Sequence, residues 1–307
     1  MHIQPIAKGV WPTMVTPFTE SNQVDYKALE QMIEWYIGHG VAGLFAVCQS
    51  SEMFFLTLEE REAIARFVVD KAQGRVQVIA SGHISDSIED QMIELNKIAE
   101  TGVQAVVLVS NRLAQQNESE DVWKRNAEIL LGAVPDIPFG IYECPYPYKR
   151  LISPELLAWC ESTGRFTFLK DTCCHTELMG QKLNAVRGGG LNIYNANTAT
   201  LLETLHLGIQ GYSGIMGNFH PDLYVWLTRH YAEQQEKAEK LQHFLGMSSV
   251  IESQLYPVNA KYYLSLEGLS VGLHTRTKDH RQLTYSNRRE VEQLFALTRQ
   301  YREHYHV

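Results

Sequence analysis

A lysine closes an apolar run in FTFLKDTCCH, residues 166 to 175, with two cysteines and a histidine just after it. If FTFLK is a strand, alternation puts Phe166, Phe168 and Lys170 on one face and Thr167 and Leu169 on the other. The preceding strand-like run, PFGIYE, ends in the same manner, with Gly140 and Tyr142 sharing a face. Neighbouring strands lie about 4.8 Å apart, so Tyr142 and Lys170 meet at one mouth if both faces turn inward. Withdrawal from water disfavours an ammonium, which leaves more free amine to attack a ketone, and a nearby phenol can pass protons. A plainer use of the same residues stays open, with Lys170 reaching to solvent and Tyr142 filling a core.

What must position these residues is an alternation of short β-branched or aromatic runs with longer segments of helical period. The runs lie in GVWPTMVTPF, GLFAVC, VQVIASG, AVVLVS, PFGIYE, FTFLKDT, LNIYNA and GYSGIMGN, each followed by a helical segment. Asp25, Thr57, Ser87, Ser119 and Ser153 stand where helix caps belong, and Pro154 and Pro221 suit a first turn. Gly40, Gly74, Gly102, Gly164 and Gly208 fall where helices close. Eight such units predict an α/β fold, a (β/α)8 TIM barrel over residues 1–235, with a small C-terminal helical appendage over 236–307. A doubly wound sheet would favour a Gly-rich phosphate turn after the first strand, and TPFTESNQ offers none. In a barrel, chemistry gathers where strands end and the following loops begin.

Composition removes several classes of function. The chain has 307 residues, 45% of them hydrophobic and 20% charged, enough for a large core. A net charge of -8 without any basic block argues against a nucleic-acid partner. No run approaches the roughly 18 apolar residues of a membrane span, and MHIQPIAKGV lacks the apolar segment of a signal peptide, so no membrane partner and a cytoplasmic location are expected. Five cysteines, an odd number, suit reduced thiols. Cys48, Cys144, Cys173, Cys174, His83, His175 and His220 fall at or near strand ends, but none shows CxxC or HxxxH spacing. The expectation is no metal and no organic cofactor, with a metal-assisted hydrolase or a nucleophilic cysteine as subordinate alternatives.

At these residues the chain resembles the dihydrodipicolinate synthase and N-acetylneuraminate lyase superfamily of Schiff-base pyruvate enzymes. The resemblance runs from GVWPTMVTPF and DYKALEQMIEWYIGHGVAGL through CQSSEMFFLTLEER, IYECP and FTFLKDT to PVNAKYYLSLEGL. It implies that Lys170 forms an imine with pyruvate or a longer 2-oxo acid, that Tyr142 relays protons, and that the reaction is carbon-carbon cleavage, condensation or dehydration. It also implies a homotetramer. Ser50, with the loop amides, falls where relatives hold the pyruvyl carboxylate, Ser51 beside it joins the expected substrate-binding residues, and Gln49 takes a hydroxyl position that several relatives use in a proton relay. An amide can orient water or a substrate oxygen but does not shuttle protons as a hydroxyl does.

Two further positions depart from the family pattern. SNRLAQQNE has Asn111 and Arg112 and no tyrosine, where lysine-biosynthesis relatives send one into a neighbouring subunit's site. YECPYPYKR puts Pro147 near the place of an arginine that grips the carboxylate of aspartate semialdehyde, with Lys149 and Arg150 slightly later. Lysine lacks the planar fork of a guanidinium and is no simple substitute. The expected protein is therefore a Schiff-base lyase or aldolase acting on a hydroxylated 2-oxo acid more readily than a dihydrodipicolinate synthase. Arg112, Asn195, Ser213 and Gly214 complete the expected substrate-binding set. A catalytically degenerate relative that only binds a 2-oxo acid remains the alternative.

Overall fold

A computed structural model describes residues 5–134 and 137–307. Residues 1–4, the start of the stretch read above for a targeting signal, lie outside the described residues. Eight parallel strands alternate with helices: β1 (Gly9–Val10), β2 (Gly43–Phe45), β3 (Gln77–Ala80), β4 (Ala105–Val109), β5 (Phe139–Tyr142), β6 (Phe166–Asp171), β7 (Asn192–Asn195) and β8 (Gly211–Tyr212). The sheet order is β1-β8-β7-β6-β5-β4-β3-β2. Hydrogen bonds from Ala42 N to Val10 O and from Phe45 N to Pro12 O join its two ends. The expected (β/α)8 barrel is thus the fold.

Local chemistry explains most helix starts. Asp25, Thr57, Ser87 and Ser153 accept from backbone N–H groups at the heads of α1 (Tyr26–Gly38), α2 (Leu58–Ala72), α3 (Ile88–Ala99) and α5 (Pro154–Ser162). Ser119 precedes α4 (Glu120–Ala133) without a side-chain bond to it. Gly208 ends α7 (Leu201–Leu207) at φ 107°, a left-handed conformation that favours glycine. The expected single helix after the eighth strand is two, α8 (Pro221–His230) and α9 (Gln235–Ser248). The helical appendage continues through α10 (Val258–Leu266) and α11 (Tyr285–Tyr305). Among the described residues no helix is long and apolar enough to cross a membrane.

One alternation fails. The register between β5 and β6 pairs Phe139 with Phe166 and then Gly140 with Phe168, an irregularity that leaves Thr167 unpaired. A bulge of this kind offsets the face on which preceding residues fall. Phe166 accordingly sets its ring against Phe139 and Trp159 of α5, away from Phe168. Phe168 fills the barrel, stacked on Tyr194 at 4.5 Å and edge-on to Trp11 and Phe45. Above this aromatic plug, Tyr142 and Lys170 are register partners on adjacent strands.

Candidate active site

Lys170 is 4% and Tyr142 5% exposed, so both are largely withdrawn from bulk water. Lys170 Nζ donates to the carbonyl of Ser213 at 2.6 Å and lies 5.0 Å from the centre of the Tyr142 ring. Burial pulls its pKa down to about 8, against the opposing pull of nearby acidic groups. A measurable share of free amine therefore exists at neutral pH. Burial pushes the Tyr142 phenol the other way, well above its usual value, which keeps it a proton donor. Its hydroxyl donates to Gln49 Oε1 at 3.3 Å, and the Cys144 thiol donates to the same oxygen at 3.3 Å. Ser50 donates to Thr13 at 3.1 Å.

Gln49, Ser50, Tyr142 and Lys170 line one cavity of about 460 Å³ at the C-terminal ends of the strands. That volume suits a small organic acid. Of the other expected binding residues, none lies in the lining. Ser51 is fully buried and spends its hydroxyl on the Cys48 backbone, closing the turn that presents Gln49 and Ser50. Arg112 pairs with Asp86 at 2.8 Å and donates to Ile84 O, with its guanidinium 5.7 Å from the centre of the Phe54 ring and outside the lining itself. Asn195 is held by Thr200 and Thr204, and the lining residue is Asn197. Ser213 contributes its carbonyl to Lys170 while its hydroxyl is buried without a partner among the described residues. At Gly214 an added Cβ would meet the Tyr212 hydroxyl at 2.3 Å, so close packing accounts for the glycine. The strand-end position of these residues was legible in the sequence, whereas the direction of each side chain was not.

The cations expected near the departing half of a substrate are mostly engaged. Arg150 donates to the carbonyls of Gln115 and Glu118, and Lys149 donates to Thr172 O at 2.9 Å. Asn111 takes three carbonyls, of Cys144, Tyr146 and Tyr148, and so shapes the loop after β5. Among the described residues no group of three His, Cys, Asp or Glu side chains is arranged to hold a metal ion. His83 bonds Gln91, His220 meets Thr298, and His175 accepts from the head of α6 (Thr176–Ala185).

Several lining residues come from beyond the barrel. Glu252, Tyr256, Thr277 and Lys278 all belong to the C-terminal extension and reach the cavity. Glu52, which caps the turn after β2, explains how two of them get there. Its carboxylate accepts from Arg276 N at 2.7 Å, Thr277 N at 2.8 Å and Thr277 Oγ1 at 2.9 Å. Lys261 of α10 adds its ammonium at 3.4 Å. No local periodicity signals such contacts, because they join residues more than 200 positions apart. Only the pairing of a buried glutamate with a late lysine and arginine would have hinted at them.

Behind the face that carries Tyr142 and Lys170, alternation turns Glu143 and Asp171 outward, one residue after each. Lys182 of α6 bridges both, at 2.5 Å and 2.6 Å, and all three side chains are 0% exposed. Glu143 also accepts from Ile152 N and Thr172 N. Burial and the neighbouring Asp171 raise Glu143 to about 7. The ends of β5 and β6 are thus tied from the side opposite the cavity.

Comparison with known proteins agrees with this architecture. The model of the dihydrodipicolinate synthetase family matches residues 6–295. The chain is 25% identical over 274 residues to a 4-hydroxy-tetrahydrodipicolinate synthase of Clostridium tetani, covering 87% of this chain and 90% of that protein. Its identity to the protein of the same name from Methanocaldococcus jannaschii is 26% over 274 residues, covering 86% and 90%. Among solved structures, a dihydrodipicolinate synthase of Bacillus anthracis superposes with a TM-score of 0.87 at 21% identity, over 95% of this chain and 99% of that one. YagE, a prophage protein of the dihydrodipicolinic acid synthase family from E. coli K12 solved with pyruvate, gives 0.85 at 23%, over 95% and 98%. At those identities the two structures speak for the fold.

Proposed function

The chain belongs to the dihydrodipicolinate synthetase family and is a lyase of it, and from that premise we propose a reaction through a Schiff base between Lys170 and pyruvate or a longer 2-oxo acid. The observation that carries the reading is the register pairing of Lys170 with Tyr142 above an aromatic plug, with the amine buried and lowered to about 8. The free amine attacks the keto carbon, and loss of water gives an iminium whose nitrogen accepts the electron pair of the bond that breaks. Tyr142 supplies protons to the carbinolamine oxygen as it leaves. Ser50 and the backbone amides of the turn after β2 hold the carboxylate of the pyruvyl half. Treatment with pyruvate and borohydride tests this: the peptide containing Lys170 gains the mass of one reduced pyruvyl group, and labelling elsewhere or none refutes it.

Tyr142→Phe keeps the ring but removes the proton, so turnover is expected to fall about 10²-fold with the fold intact. Steady-state kinetics beside a circular dichroism spectrum checks this. A loss below threefold assigns the relay to another group.

For the second substrate, the proposed partner is a hydroxylated 2-oxo acid. No arginine stands among the lining residues described, and position 147 is a proline whose neighbours Lys149 and Arg150 are bonded elsewhere. Polar groups left unmatched in a closed site cost about 1–3 kcal/mol each. A second reading, 4-hydroxy-tetrahydrodipicolinate synthase activity, is favoured by the names of the relatives and by Lys278, an exposed cation at the rim. The specificity constant is expected to be higher for a 4-hydroxy-2-oxo acid than for aspartate semialdehyde with pyruvate. The reverse order, measured in steady state, selects the second reading. Homotetrameric assembly and a cytoplasmic location are proposed on the family resemblance and composition.

A further inference from the structure

The cavity has two unlike walls. On the side of β2 and β5, Gln49, Tyr142 and Cys144 share hydrogen bonds with one another. Toward β7 and β8 stand Asn197, Ile215, Tyr256 and Glu252. Glu252 belongs to a short 3-10 turn, Ser249–Ser253, that follows α9 and packs over the turn after β8. It is partly buried, and among the described residues its carboxylate makes no hydrogen bond and no ion pair. A carboxylate that lines the same cavity as Lys170 and has no protein partner takes its partner from whatever fills that cavity. Every other acidic side chain near the mouth is committed: Glu52 to Lys261 and the 276–277 backbone, Glu143 and Asp171 to Lys182. Meanwhile the Tyr142 proton points at Gln49, an amide that cannot pass it on. Of the two carboxylates that line the cavity, Glu52 and Glu252, only Glu252 is without a partner among the described residues, which leaves it able to take a proton from the departing half of a substrate.

We propose that Glu252 is a catalytic acid-base residue for that departing half, acting on a hydroxyl carried by C4 of the 2-oxo acid. The inference rests on the Schiff-base reading of Lys170 given above. In the step, the Glu252 carboxylate takes the proton of the C4 hydroxyl and the oxygen's pair becomes a carbonyl bond. The C3–C4 bond breaks, its pair forms the C2–C3 double bond, and the iminium nitrogen is neutralised as the enamine. The aldehyde leaves. Glu252, now a carboxylic acid, returns the proton to C3, and water releases pyruvate from Lys170. No oxidant or metal enters the balance.

Electrostatics agree with this role. Burial raises the Glu252 carboxyl to about 7, against the opposing pull of Lys170, so both of its protonation states are populated near neutrality. The groups that face it are the Lys170 ammonium and the phenols of Tyr212, Tyr224 and Tyr256, each held neutral by burial. Lys149 and Lys278 share the cavity at its rim.

The test pairs two measurements on the full-length protein and on Glu252→Gln. Borohydride trapping of pyruvate reports the Lys170 imine and the integrity of the fold, while acetaldehyde release from 4-hydroxy-2-oxopentanoate reports cleavage. We expect Glu252→Gln to trap pyruvate yet cleave at least about tenfold more slowly in kcat. In the parent, kcat should rise as pH increases through about 7, because the carboxylate is the form that takes the proton. That rise should vanish in Glu252→Gln and return, with part of the rate, in Glu252→Asp. Parental cleavage or an unchanged pH profile in a Glu252→Gln protein that traps pyruvate overturns the proposal and leaves the imine reading intact. A parent that traps pyruvate but releases no acetaldehyde does the same. Absence of trapping in the parent refutes the imine reading, and the proposal with it.

Discussion

Lys170→Ala is expected to abolish borohydride trapping and to lower turnover on the order of 10³-fold or more, since it removes the amine on which the proposed imine forms. Alanine leaves the Ser213 carbonyl without its donor at 2.6 Å but creates no buried charge, so the barrel should still fold. Lys170→Arg is the sharper control. It keeps a cation in place, yet a guanidinium stays protonated at any pH the protein tolerates and cannot attack a ketone. Trapping should be absent from both variants. In the parent, the trapping rate at limiting pyruvate should climb with pH and level off above about 8, where the buried amine has lost its proton. Mass spectrometry of the labelled peptide over a pH series measures all three. Turnover retained in Lys170→Ala would require a different nucleophile.

Lys182→Met should cost about 3–5 kcal/mol of stability, more than a hundredfold in the folding equilibrium, at pH 8. The variant removes the cation between Glu143 and Asp171 and leaves two buried carboxyls side by side. The sign of the pH dependence follows from proton binding. Already in the parent the folded value of Glu143 is raised to about 7 from its ordinary 4.5, and loss of the cation removes an interaction that holds it down. Across the window between those values the folded state binds more protons than the unfolded chain, so stability falls as pH rises. The deficit of Lys182→Met should therefore shrink between pH 8 and pH 6. Urea unfolding at the two pH values checks it, and an equal deficit at both would show that lost packing outweighs charge.

Much of the fold was open to sequence reading because each element carries its own signals. Caps at Asp25, Thr57, Ser87 and Ser153 and the repeated strand-helix rhythm depend on neighbours within a few positions. The joining of Lys170 with Tyr142 followed from alternation at the last residues of their strands, where it holds. It failed four residues earlier at Phe166, because an irregularity in pairing is a property of two strands and not of one. Arg112 and Asn195 illustrate a second limit. Both stand at strand ends, where function is expected, but the loops there need internal hydrogen bonds of their own, and these two side chains provide them. Glu252 and Lys278 lay beyond reach for a third reason: they enter the cavity from a part of the chain whose local pattern is only helix and turn.

The hold of Glu52 on Arg276 and Thr277 changes what kind of object the C-terminal extension is. A tail that merely packed on the barrel could be trimmed or exchanged among relatives with a loss of stability alone. This one supplies a wall of the cavity, and carboxylates of the barrel clip it there: Glu52 holds the 276–277 backbone, Glu60 the Arg276 guanidinium at 2.6 Å, and Asp222 the side chain of Arg302 at 2.5 Å. Recombining barrels and tails within the family would thus transplant reactivity along with bulk, provided the clip travels as a unit: Glu52 and Glu60 in the barrel, and in the tail Lys261, Arg276 and the backbone amides of 276–277.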